Sequence, residues 1–231
     1  MKYILFLSFL VLPLLTNAQK KLTYGMSIYT NLSSSTYTAH DTVPQTWVDN
    51  YKENETVKTS YSIHAFGEYA LNEKSHLSFG LGFQNTGYAT TKVPVTFGFD
   101  PVIGPSTSAE AKAKYIWHNL ELPIHYKRYF NSSTYASVGL IGQYRIGTFN
   151  SSKIWYNDGR KEKNHSYDNF YDYTDINLAA GVGVGKDFKL KEKFILFIQA
   201  YGQYGLLGLR KEAAVNRKLL SLGITTGIRF H

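Results

Sequence analysis

Residues 218–231 constrain this chain more than any other stretch. Leu220, Leu222, Ile224, Thr226, Ile228 and Phe230 recur at every second position, and Ser221, Gly223, Thr225, Gly227, Arg229 and His231 fall between them. A period of two over that length means a strand with two chemically different faces. The two-sided pattern returns in residues 21–32, 59–71, 76–89, 113–130, 134–149, 173–188 and 193–208. Each segment reaches the roughly 9–11 residues that a tilted membrane strand needs.

The connections sort by length. Residues 33–57, 90–112, 150–172 and 210–217 form longer polar loops, rich in Ser, Thr, Asn and charge. Residues 72–75, 131–133 and 189–192 form tight turns. Long and short connections alternate, as they do in a barrel with short turns on the periplasmic side and long loops outside. The expected fold is all-β: an eight-stranded antiparallel up-and-down transmembrane β-barrel, with residues 218–231 as its closing strand.

Met1-Lys2 is a short basic start, residues 3–15 are apolar apart from Ser8 and Pro13, and Thr16-Asn17-Ala18 offers small residues before Gln19. This is the pattern of a cleavable signal peptide, and it is too short for a membrane helix. The expected organisation is a signal peptide over residues 1–18 and a barrel domain over 19–231, located in the cell outer membrane. No later apolar run approaches the roughly 20 residues of a membrane helix. The absence of cysteine excludes disulfides and thiolate metal sites. The net charge of +8 is dispersed rather than clustered on a helix, so no nucleic-acid partner is expected.

Energy assigns the faces. A Lys or Arg facing lipid at mid-membrane costs about 2–4 kcal/mol. Glu68, Glu121, Lys127, Arg145 and Arg229 all fall on the polar face, which must then line the lumen. An eight-stranded barrel has interior space only for packed side chains, so no open pore is expected. Buried charges persist when paired, and the expectation is a lumen salt-bridge network of Glu68, Glu121, Lys127, Arg145, Asp175 and Arg229, with Arg145–Asp175 the leading pair. A polar plug that fixes register is preferred over a gate or proton path.

Aromatic residues gather toward the strand ends. Tyr69, Tyr126, Tyr129, Phe130, Tyr135, Phe188, Phe194 and Phe230 mark the turn end, and Tyr61, Tyr88, Tyr115, Trp117, Tyr144 and Tyr204 the loop end. Two such belts are expected at the two membrane interfaces. His64, His118 and His125 lack metal-ligand spacing. Ser62, His64 and Glu68 share the lumen face without a partner nucleophile at the membrane surface. No catalytic residue, metal or cofactor is assigned. Exposed aromatics on the loops, Trp47, Trp155, Tyr156, Tyr167, Phe170 and Tyr171, are the candidate outer contacts.

Three segments carry a resemblance: Asn119-Leu120-Glu121-Leu122-Pro123-Ile124-His125-Tyr126-Lys127, residues 199–206 with Tyr201-Gly202-Gln203-Tyr204-Gly205-Leu206, and residues 222–230. With the Ala18-Gln19 cleavage site they resemble the PorT-like outer-membrane β-barrel proteins of Bacteroidota. Tyr201 stands near a position where that family often carries Arg. The resemblance implies the fold and the location. One member serves the type IX secretion system and most have no assigned role, so the resemblance transfers no role. The first functional expectation is a non-enzymatic accessory or structural component of an envelope secretion or assembly complex, bound through the loops or the lipid-facing wall. The expected partners are outer-membrane lipid and an envelope protein complex. The alternatives are a stand-alone surface barrel for adhesion or envelope integrity and, after it, an enzyme that modifies outer-membrane lipid.

Overall fold

The structure is a computed structural model, and it describes residues 22–39, 43–96, 108–167, 174–191, 193–209 and 214–230. The expected signal peptide lies outside the described residues. In chain order the elements are β1 (Leu22–Ala39), α1 (Gln45–Asn54), β2 (Glu55–Thr56), β3 (Lys58–Asn72), β4 (Ser75–Thr90), β5 (Val93–Thr96), β6 (Ser108–Tyr129), β7 (Thr134–Tyr156), β8 (Lys161–Tyr167), β9 (Ile176–Lys191), β10 (Phe194–Gly205) and β11 (Val215–Phe230).

Eight of these strands close a ring. The order is β1, β3, β4, β6, β7, β9, β10, β11, and β11 returns to β1 with Met26 opposite Ile228 and Leu32 opposite Leu222. Every neighbouring pair is antiparallel. Closure leaves no unpaired sheet edge in the ring, so its backbone polar groups are satisfied within the sheet. Two tight turns use the carboxamide of an asparagine. Asn131 Oδ1 accepts from the backbone N–H groups of Ser133 at 2.9 Å and Thr134 at 2.7 Å, and Asn72 Oδ1 accepts from Lys74 N–H at 3.0 Å.

The distribution of polarity is inverted relative to a water-soluble barrel. On β6, Leu122 is 60% exposed while its neighbour Glu121 is 1% exposed. The same contrast runs around the ring. Met26, Ile63, Leu81, Leu140, Val182 and Ile224 point outward, and Ser27, Ser62, Gln84, Ser137, Gln199 and Thr225 point in. On β11 the outward residues run from Leu220 to Phe230. At about 3.3 Å per residue and a tilt near 40° they make a wall about 25 Å tall, the height of an outer-membrane apolar band. A lipocalin-like soluble barrel would place its apolar side chains inside.

Large inward side chains are matched to inward glycines on the next strand. A Cβ at Gly181 would stand 1.9 Å from the Tyr201 hydroxyl, and one at Gly227 would stand 2.6 Å from the Phe197 ring. The lumen of a barrel this narrow fills only if large and small residues alternate around it.

All four segments expected to be loops contain structured residues. β1 runs on to Ala39 and pairs with β11 as far as Val215, and residues 45–56 supply α1 and β2. β6 begins at Ser108 with β5 beside it, and β7 continues to Tyr156 before returning as β8. Period two is visible in a sequence only while one face meets lipid. Beyond the wall the outward face no longer meets hydrocarbon, so backbone pairing continues without an apolar alternation to reveal it.

The aromatic belts need a second correction. Tyr61, Tyr144 and Tyr204 face outward at one end, and Tyr126, Phe130, Phe188, Phe194 and Phe230 do so at the other. Tyr88, Trp117, Tyr129 and Tyr135 are instead buried inside. Tyr88 and Trp117 pack with Leu209, and Tyr115 packs against them. The expectation ordered these residues by depth alone. Their parity, which Tyr135 shares with Ser137 and Trp117 shares with Asn119, puts them on the lumen face.

The loop end is fastened by one arginine. Arg217 of β11 bonds Glu55 of β2 through Nη2 at 2.8 Å and Nε at 2.9 Å, and its guanidinium lies 4.3 Å from the centre of the Tyr51 ring of α1. Burial opposes its charge, but Tyr88, Glu55 and Tyr37 outweigh that and hold Arg217 above its ordinary value. A charge-assisted hydrogen bond to a carboxylate contributes about 1.5–3 kcal/mol. Arg217→Ala is therefore expected to lower the local opening free energy of α1 and β2 by about that amount. Amide hydrogen exchange reads this as faster exchange over residues 45–56 with the ring unchanged. Equal protection in the variant would show that Arg217 does not hold the cap.

Candidate functional site in the barrel lumen

The lumen carries its charge in layers. The layer nearest the tight turns is centred on Glu68, which is 1% exposed. Its carboxylate pairs with Lys127, with Arg229 Nη1 at 2.7 Å and with His76 Nδ1 at 2.8 Å. Arg229 also pairs with Asp187 and donates to the Tyr129 hydroxyl at 2.8 Å, and that hydroxyl donates to Asp187 at 2.9 Å. Residues from β3, β4, β6, β9 and β11 thus meet across the barrel.

The middle layer is centred on Glu121, also 1% exposed. His64 Nε2 lies 2.8 Å from one of its oxygens. Gln143 donates to the other at 2.9 Å and Gln203 at 3.3 Å. Gln143 and Asn119 both donate to Gln84, at 3.1 and 2.9 Å. Beside this layer His125 Nε2 lies 2.8 Å from the Tyr201 hydroxyl. A cavity of about 60 Å³ adjoins these groups, lined by Tyr29, His64, Glu121, His125 and Tyr201 among others. That is room for a few water molecules and too little for a solute.

The third layer is at the loop-end rim. Arg145 Nη2 stands 2.6 Å from Asp175, whose side chain is half exposed. A half-exposed pair is screened by water, and such pairs contribute roughly 0–1 kcal/mol. Asp175→Asn is accordingly expected to change unfolding stability by less than about 1 kcal/mol in a denaturant titration. A larger loss would mean that the rim is drier than its exposure indicates.

Of the six expected network residues, the structure brings Glu68, Lys127 and Arg229 into one cluster and Arg145 and Asp175 into another. Glu121 joins neither, and its carboxylate meets the imidazole of His64 instead. Asp187, His64, His76 and Tyr129 were not among the expected members. Parity would have found Asp187, since it lies two residues beyond inward Gly185. The same parity puts His64 with Ser62 and His76 with Ser78 on the inward face, and only the offset between strands decides which carboxylate each meets. Ser62, His64 and Glu68 do not form a relay, because His64 bonds Glu121 and Glu68 bonds the cations.

The outer aromatic candidates occupy different places. Trp47 lies on α1 and is exposed, Trp155 and Tyr156 end β7, and Tyr167 ends β8 and is 86% exposed. Phe170 and Tyr171 lie outside the described residues.

A family model described as an outer membrane protein beta-barrel domain matches residues 17–209. Among solved structures, Neisserial surface protein A is similar at 13% identity, with a TM-score of 0.39, covering 89% of this chain and 96% of that one. The attachment invasion locus protein Ail of Yersinia pestis is similar at 14% identity, with a TM-score of 0.33, covering 88% and 97%. The outer membrane protein OprG of Pseudomonas aeruginosa is similar at 12% identity, with a TM-score of 0.37, covering 91% and 98%. No curated protein matches the sequence at a significant level.

Proposed function

Because the chain belongs to the outer membrane protein beta-barrel domain family, we propose that it serves there as a non-enzymatic accessory or structural component of an envelope secretion or assembly complex. The observation that carries this reading is the cross-barrel closure at Glu68, Lys127, Arg229 and Asp187. A lumen tied shut by buried ion pairs suits a scaffold better than a channel. Its reach beyond the ring supports a contact role. β5, β8 and the distal parts of β6 and β7 form a sheet extension that offers Trp155 and Tyr167 to a partner.

In this reading residues 1–18 are removed on export, the tight turns face the periplasm, and the extension stands outside the cell. The likeness of residues 119–127 and 199–206 to PorT-like barrels of Bacteroidota supports a secretion or assembly complex as the setting. The second reading is a stand-alone surface barrel for adhesion or envelope integrity, favoured by the exposure of Trp47 and Tyr167. An enzyme acting on membrane lipid needs its reacting groups at the outer wall, whereas His64 and Glu121 meet inside the ring.

Purification of the tagged protein from its native membrane in mild detergent, read by mass spectrometry, tests the proposal. A stoichiometric larger envelope protein is the expected result. A clean monomer whose loop variants fold but lose surface binding would overturn it in favour of the second reading.

A further inference from the structure

The outward face of the sheet continues beyond the apolar wall, and its chemistry changes there. Residues directly opposite one another on paired strands share a face, and steps of two along a strand keep it. On β6 the outward residues Ile124, Leu122 and Leu120 lead by twos to Ile116, Lys114 and Lys112. Ile116 stands opposite Phe149, which stands opposite Tyr167 on β8. Phe149 packs against Tyr167 at 5.1 Å and stacks on His165 at 5.3 Å. This row is an aromatic edge of the kind found at a membrane interface.

The next outward rows are basic. Lys114, Ser151 and His165 stand opposite one another, and beyond them Lys112, Lys153 and Lys163 do so. A β-bulge makes this alignment possible. Asn119 pairs with Arg145 but His118 pairs with Gly147, so one residue of β7 is skipped and its outward parity changes from even to odd. Without the bulge Lys153 would point away from Lys112.

Three lysines side by side on adjacent strands repel one another, since like charges directly opposite are unfavourable. Neighbouring strands lie about 4.8 Å apart, so the row spans about 10 Å. Lys112, Lys153 and Lys163 make no ion pair among the described residues, whereas nearby Lys92 and Glu110 neutralise each other at 2.7 Å. An anion spread over that width, standing at the membrane surface, would relieve the repulsion.

We propose that this face is a docking surface for the phosphorylated headgroups of the lipid leaflet adjoining it, with the Lys112–Lys153–Lys163 row as its centre. The inference rests on the reading of the strands as membrane-spanning with the β7–β8 hairpin outside. It adds a lipid class and the residues that select it.

The test uses the folded barrel in nanodiscs of phosphatidylcholine with added diphosphoryl lipid A, and measures the lipid A retained on repurification. The variant is Lys112→Gln/Lys153→Gln/Lys163→Gln. Wild type is expected to retain about tenfold more lipid A than the variant, and to lose that advantage in high salt or against phosphate-free lipid A. Equal retention by variant and wild type would overturn the proposal, as would equal retention of the phosphate-free lipid by wild type. Should the variant fail to fold, the salt and phosphate comparisons on wild type decide alone. Displacement by soluble heparin in detergent at least as effective as by lipid A would also overturn it, in favour of a soluble polyanion. Orientation is tested separately. The chain has no cysteine, so Asp158→Cys at the hairpin can be labelled on intact cells with an impermeant maleimide. Failure of that labelling removes the outward orientation and leaves the nanodisc result standing.

Discussion

Glu68→Ala is expected to destabilise the barrel by about 3–5 kcal/mol, the usual cost of removing one partner from a buried ion pair. Glu68 is 1% exposed and faces two full cations, Lys127 and Arg229, which are themselves buried. Asp187 still pairs with Arg229 in the variant, so the stranded charge is mainly that of Lys127. The double variant Glu68→Leu/Lys127→Met removes both members and is expected to recover most of the loss, because a buried pair replaced by apolar groups of similar volume is often neutral. Urea unfolding in micelles, with the fast-migrating unheated gel band as the folded marker, measures both. A loss below about 1 kcal/mol for the single variant would mean that water reaches the lumen at this level.

The second large effect concerns the wall. Leu122→Arg places a charge on the apolar face, between Leu120 and Ile124, and is expected to cost about 2–4 kcal/mol in a bilayer. Thr38→Arg is the control. Thr38 lies on the same outward face of β1 as Leu32 but beyond the wall, paired with Asn216. Surface changes there are expected to stay within about 0.5 kcal/mol. Equal costs at the two sites, measured by unfolding from lipid vesicles, would show that Leu122 does not face hydrocarbon. The pair of variants probes the membrane assignment independently of lumen chemistry, so it can fail while the Glu68 result holds.

The alternation itself determined a great deal. Leu220 to Phe230 against Ser221 to Arg229 specified a strand, its two faces and which of them meets lipid, because a charge on the lipid side is too costly to tolerate. The same rule placed Glu68, Glu121, Lys127 and Arg229 inside, and applied consistently it would also have placed Tyr135, Trp117 and Asp187 there. Tertiary structure alone decided which inward residues meet. Glu68 and Arg229 are 161 positions apart and touch because β1 staggers β3 against β11, and that offset leaves no trace in either strand's own pattern. It also decided what happens beyond the wall, where β1, β6 and β7 run on and β8 folds back. There the outward face no longer meets hydrocarbon, the period of two loses its apolar half, and backbone hydrogen bonding between paired strands carries the sheet on.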